Sequence, residues 1–295
     1  MKEYSTGRES GISRVVSSSE EVEKNVLEAF QGLFKNQIPV DWEELKTPEE
    51  IKTAEIVLRG MPDFFKKYGG EMPPLTSDHV HNIPVEDREK YPAVADAGAA
   101  YVEEHQRIYS IDKYDQSRFL QGHVLAHEFL HFASFQSISA REENGEIVIG
   151  RRRVGMEILN HDDSDNFFGA FNEALTEELA LAFSKKYLMT NEWINNDMKQ
   201  HQGYKDANFE IKRGESREPV FVSHAYEAER TSLHMLIADL YKKNQHHYTS
   251  ENEIFNLFAA AGLTGRLLPL ARLIEKTYGK GSFRKIGEMT KGRND

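Results

Sequence analysis

Apolar residues recur at helical spacing early in the chain, where Val22, Val26, Leu27, Phe30 and Phe34 in "SEEVEKNVLEAFQGLF" predict a helix ending near Phe34. A second helix is predicted over "TPEEIKTAEIVLRGMPDFF", which opens with Thr47 as cap, Pro48 at the first helical position and Glu50 placed to complete a capping box. Both have one apolar face and read as supports for a core. The residues before them, 1–18, are polar and rich in Ser, and read as a loose arm.

The period then shortens. "HVHNIPVE", "AAYVEE" and "QRIYSID" alternate in part and are separated by Pro, Gly and Asp, the marks of short strands in a small sheet. In "SRFLQGHVLAHEFLHFASFQ" the apolar residues cover so much of a helix surface that the helix must be nearly buried. "SISARE", the turn signal "ENG" and "EIVIGRRRVGMEI" predict a hairpin or meander. Helical spacing returns in "NEALTEELALAFSKKYL", "SHAYEAERTSLHMLIADLY", "SENEIFNLFAAA", where Ser250 and Glu253 offer a second box, and "RLLPLARLIEKTY". The polar stretch 198–220 reads as a long surface loop or flap. The expected organisation is an arm (1–18), N-terminal helices (19–70), a central unit (71–197), the loop (198–220) and a C-terminal helical subdomain (221–295).

Composition narrows the chemistry. The chain has 295 residues and no Cys, so a bound metal ion must be held by nitrogen and oxygen. A net charge of -11 argues against an unaided grip on nucleic acid and favours a basic or neutral partner only weakly. No apolar run is long enough to span a bilayer and no apolar segment opens the chain. A cytoplasmic protein is therefore the default expectation, with export that reads no N-terminal signal left open. The sequence does not give an oligomeric state.

The chemistry concentrates in "HEFLH", where His127 and His131 stand one helical turn apart and share a face. Both imidazoles can reach one ion. Glu128 lies about 100° further round the helix, near enough to take a proton from water on that ion without being a ligand. Downstream, "FNEALTEELA" places Glu173 and Glu177 on one face of a largely apolar helix. Glu173 is the candidate third ligand. Glu177 is placed to accept from the far nitrogen of a ligand histidine.

"HEFLH" followed by "NEALTE" resembles the glutamate-type zincins, the metallopeptidase clan that includes thermolysin and the membrane-alanyl aminopeptidases. The resemblance covers roughly residues 100 to 240. It implies an α+β, zincin-like fold, with a small mixed sheet over the helix bearing His127, and a mostly helical C-terminal half. It implies one zinc ion per chain on His127, His131 and Glu173, with Glu128 as general base and Glu177 orienting His127. Two features depart from the clan: the gap before Glu173 is longer than in compact members, and the glycine-rich segment that binds a free amino terminus in the aminopeptidases is absent.

The clan places a tyrosine or histidine on a later helix against the developing oxyanion. "SHAYEAERTSLHML" offers Tyr226 for this role, His224 as the alternative, and Arg230 a turn beyond Tyr226 as a second group facing the cleft. Other residues read as structural: His123, better placed to pack than to ligate; "HVH" at 79–81; and the polar loop "HDDSD" at 161–165. "GRRRVG" at 150–155 is a basic strand that could meet acidic substrate residues if it borders the cleft. The function that the resemblance implies is zinc-dependent hydrolysis of peptide bonds, with a peptide or protein as the expected substrate. The alternatives are a zincin-fold binding or regulatory protein without turnover, and a secreted effector or toxin protease.

Overall fold

The computed structural model describes residues 9–39, 43–84, 86–87, 98–111, 117–160 and 165–292. They form a mixed α/β structure of helices and three small sheets. Helix α1 is Glu20–Lys35, and α2 is Pro48–Lys67 with its capping box complete: Thr47 accepts from the Glu50 amide and Glu50 accepts from the Thr47 amide.

Strands β2 (Val80–Ile83), β3 (Ala99–Val102) and β4 (Arg107–Ile111) make one sheet in the order β2-β4-β3, with β3 at its edge. The edge strand lies against α3 (Arg118–Ala133), where the Tyr101 ring stacks on Phe132 at 4.4 Å. Ser117 caps α3, and the Asp197 carboxylate accepts from the Phe119 amide at 3.0 Å, placing negative charge at the helix's positive end. Phe119, Leu120, Phe129, Leu130 and Phe132 are all fully buried, as the wide apolar surface required.

Strand β1 (Arg14–Ser17) pairs in parallel with β5 (Gln136–Glu143), and β5 turns back into β6 (Glu146–Val154) through Asn144 and Gly145, both at positive φ. That is the "NG" hairpin turn expected from the sequence. The short strands β7 (Glu157–Leu159) and β8 (Asn166–Phe167) complete this sheet and lead into α4 (Gly169–Phe183). No side chain caps α4. The tail does so instead: Thr290 O accepts from the Ala170 amide at 3.0 Å, and a Cβ at Gly169 would lie 2.5 Å from the Gly292 nitrogen.

After a π-turn, Ser184–Leu188, come α5 (Glu192–Gln200), the hairpin of β9 (Phe209–Arg213) and β10 (Pro219–Ser223), and helices α6 (Glu227–Lys243), α7 (Glu251–Thr264), α8 (Leu267–Tyr278) and α9 (Ser282–Met289). A single cluster of buried apolar residues extends from Phe34 to Ile274, so 221–295 has no separate core. No described helix is long and apolar enough to cross a membrane.

Several expectations are corrected. Residues 9–17 are not a loose arm: Ile12 and Val15 are buried beside Val26 and Ile138, and β1 extends the sheet. The 198–220 stretch is not one loop: it holds the last turn of α5 and most of the β9–β10 hairpin, in which Phe209, Ile211 and Phe221 pack inward while Lys212 and Arg213 face solvent. Glu253 does not pair with Ser250 in a capping box; its carboxylate accepts from the Thr249 amide at 2.9 Å. Of "HDDSD", residues 161–164 lie outside the described residues.

His79 sits between the rings of Phe34 and Phe132, at 4.4 and 5.5 Å. Burial pushes its imidazole from 6.5 down to about 4, a shift that the Thr76 backbone and Asp78 only partly oppose and His81 reinforces. Between these values the unfolded chain binds a proton that the folded chain refuses, so stability is complete above 6.5 and lost as pH falls toward 4. The loss attributable to His79 is about 3 kcal/mol. His79→Phe is expected to shrink the acid-side fall in urea-unfolding free energy by that order; equal falls in both proteins would clear His79 of the role.

Candidate metal centre

Helix periodicity puts His123, His127 and His131 in one row on α3, and α4 crosses that row with Glu173 and Glu177. His127 and His131 present their Nε2 atoms to each other at 3.0 Å. Glu173 Oε2 lies 3.5 Å from His127 Nε2 and 3.3 Å from His131 Nε2. These three residues are the one group among the described residues whose donor atoms converge in this way.

Donors at about 2.0 to 2.2 Å from one tetrahedral ion stand about 3.3 to 3.6 Å apart. Two of the observed separations agree and the third is slightly shorter. The three donors therefore fit a single divalent ion.

The electrostatics of the group have the same sense. Burial alone would depress His127, but hydrogen bonding to Glu173 and Glu177, with the charge of Glu128, holds its imidazole well above the ordinary value. His131 is likewise raised against burial by the charge and hydrogen bond of Glu173. Burial opposes charge on Glu173 and Glu177 too, yet the facing histidines hold both carboxyls well below the usual range. A pocket that stabilises positive charge on its imidazoles has the polarity a cation requires.

Glu128 does not join the three donors. Its Oε2 accepts from the Tyr101 amide at 2.8 Å, so the edge strand β3 fixes the carboxylate while the residue still lines the cleft. Burial raises its carboxyl above the ordinary value, in part offset by the two histidines.

Glu177 is 1% exposed and organises the floor of the site. One carboxylate oxygen stands 3.0 Å from His127 Nδ1, leaving Nε2 free to face Glu173. The other stands 3.1 Å from His123 Nε2 and accepts from Ser223 Oγ. His123 also reaches Ser184 Oγ, at 2.9 Å. It is thus packed, as its reading from the sequence had it, and its added part is to hold Glu177. The spacing of 123, 127 and 131 was the available signal for that part.

No family model, curated protein or solved structure matches this chain. What the site can do rests on its own geometry.

Tyr226 stacks its ring on His127 at 5.8 Å, nearly parallel, from the residue just before α6. The charge of Glu173 raises its phenol above the ordinary value although the residue is 41% exposed, so the hydroxyl is a donor at neutral pH. The helix does not run from Ser223, since β10 ends there and His224, Ala225 and Tyr226 form a turn. His224 lines the cleft's rim, with its ring nitrogens 3.7 and 3.6 Å from Glu210 and Glu227. Arg230 does not face the cleft. Its guanidinium points to the outer side of α4 and pairs with Glu178 at 2.7 Å.

The basic strand also has other work. Arg151 pairs with Glu103, and Arg153 donates to Ala261 O and Gly265 O at the end of α7, so neither is presented to substrate. The cleft, about 800 Å³, is instead bordered by Gly98 and Ala99 on the β3 side, Glu157 at the β7 end, and Lys291 and Gly292 of the tail. Nothing in the periodicity of the sequence pointed to these residues.

Proposed function

We propose that this chain is a zinc-dependent peptidase of the glutamate-type zincin kind, with His127, His131 and Glu173 as ligands and Glu128 as general base. The observation that carries the reading is the convergence of those three donor atoms beside a separately anchored, cleft-facing Glu128. A structural zinc site is normally closed by four protein ligands, whereas three ligands bordering an open cleft are the catalytic arrangement. A peptide substrate suits the cleft because β3 is a sheet edge among the described residues and its first residue, Ala99, lines the wall, where an extended chain can align beside the part of the edge that Glu128 does not occupy.

When bound, the divalent ion would lower the pKa of water toward about 7 and polarise the scissile carbonyl. Glu128, held by Tyr101, takes the proton from the attacking water and delivers it to the leaving amine. Tyr226 keeps its proton and donates a hydrogen bond to the carbonyl oxygen as negative charge develops there. Glu177 fixes the His127 ring through Nδ1, so that Nε2 faces Glu173 and would be free to hold the ion.

The reading is tested by elemental analysis of dialysed protein together with a peptide-cleavage assay. One zinc per chain is expected, with cleavage lost on chelation and restored by stoichiometric zinc. Metal-free protein of undiminished activity would overturn it.

Tyr226→Phe separates the donor from a merely packed ring, since the two side chains have almost the same volume. It is expected to lower kcat by roughly 100- to 1000-fold, the usual effect of removing one such donor, with KM and zinc content unchanged. A kcat within about twofold of the parent would return Tyr226 to a packing role, and His224→Ala would then be the measurement to make.

A further inference from the structure

Tyr226 has backbone angles φ 51 and ψ 34, the left-handed conformation, which a residue with a side chain adopts at a cost and keeps only where its surroundings impose it. Its own side chain does not cap α6. The turn is held by its neighbours instead. Arg230, in the first turn of α6, folds its guanidinium back so that Nη1 donates to Ser223 O at 3.0 Å and Ala225 O at 3.4 Å. Nε of the same group donates to Glu178 Oε1 at 2.7 Å, and His234 Nε2 lies 3.0 Å from that oxygen. Ser223 Oγ, at the other end of the turn, donates to Glu177 and accepts from the Ala225 amide at 3.2 Å.

The turn carrying Tyr226 is therefore tied to two consecutive residues of α4. Glu177 faces inward and also holds His127. Glu178 faces outward and holds Arg230. A guanidinium suits this place because it is a rigid planar fork whose nitrogens reach a carboxylate and two carbonyls together, and an ammonium has no comparable geometry.

We propose that Arg230, anchored by Glu178, is the positioning residue for Tyr226, fixing the 223–226 turn so that the phenol stays over His127. It acts through Tyr226 and does not touch the substrate. The kinetic consequence rests on the oxyanion role given to Tyr226 above, whereas the structural consequence does not.

Two measurements test it. In the zinc-loaded protein, Arg230→Ala is expected to lower kcat roughly tenfold to a hundredfold with KM within about twofold, and to have no further effect when Tyr226→Phe is already present. Arg230→Lys should fall nearly as far, since it keeps the charge and loses the fork. In the metal-free protein carrying 13C at the tyrosine ring ζ position, the Tyr226 resonance, identified by its loss in Tyr226→Phe, should move in Arg230→Lys and in Glu178→Gln. Losses in kcat that multiply in the double variant, or a Tyr226 resonance unmoved in both single variants, would overturn the proposal. Should Arg230→Ala fail to fold, Arg230→Lys and Glu178→Gln carry both measurements. Should the parent cleave no peptide, the peptidase reading fails and the resonance alone decides the positioning role.

Discussion

Glu128→Gln is expected to leave one zinc per chain in place and to lower peptide hydrolysis by about a thousandfold or more. The geometry makes this a clean change. Glu128 Oε2 accepts from the Tyr101 amide at 2.8 Å, and a glutamine carbonyl oxygen can accept the same bond. The side chain thus stays where it is, while the group turned to the cleft becomes an amide with no affinity for the water's proton. Metal content, peptide affinity and thermal unfolding should be close to those of the parent, with the loss confined to kcat. Equal cleavage by both proteins would remove Glu128 from the mechanism and point to a contaminating protease.

His131→Ala is expected to leave dialysed protein without bound zinc, because two donors remain where three are needed. Glu177→Gln should do less. Glutamine can accept from only one side of its amide, so the oxygens facing His127 Nδ1, His123 Nε2 and Ser223 Oγ are no longer all available. Loss of such an orienting partner weakens metal affinity by about ten- to a hundredfold. Competition with a chromophoric chelator resolves the order of parent, Glu177→Gln and His131→Ala. Unchanged zinc affinity in His131→Ala would refute the ligand set, and unchanged affinity in Glu177→Gln would reduce Glu177 to a packing role.

What the sequence disclosed was local. Thr47, Pro48 and Glu50 lie within one turn and need no partner elsewhere, so their capping box was readable in advance. The same holds for Asn144-Gly145 and for the apolar surface of α3. The pairing of His127 with His131 is likewise a matter of helical spacing, and the resemblance extended it to Glu173 on a separate helix. Concealed features depend on contacts between distant segments. The Tyr101 amide that anchors Glu128 is a backbone group and has no sequence signature. Strand β1 is short and lies in a polar stretch, and only pairing with β5 gives it a reason to be extended. In β9 the inward Phe209 and Ile211 alternate with Glu210 and Lys212, and the polar residues on either side of the short apolar run of β10 made the whole stretch read as a loop. An unbroken helix through Tyr226 would put Arg230 on the cleft face, one turn on; the left-handed residue at 226 breaks that helix, and Arg230 pairs with Glu178 instead.

The tail's closure of α4 bears on the order of events during synthesis. The Phe168 and Ala170 amides take their acceptors from Gly287 and Thr290, and the Gly292 amide donates to Asn166, so both sides of these bonds are present only after residues 287–292 have left the ribosome. Until then α3 can have both its histidines while the helix supplying Glu173 has a frayed first turn. Contacts so distant along the chain form late, since a long loop must close before they contribute. On the metal-centre reading proposed above, a nascent chain would therefore pass through a state with His127 and His131 in place and Glu173 not yet fixed, and would complete the three-donor group only when the tail docks.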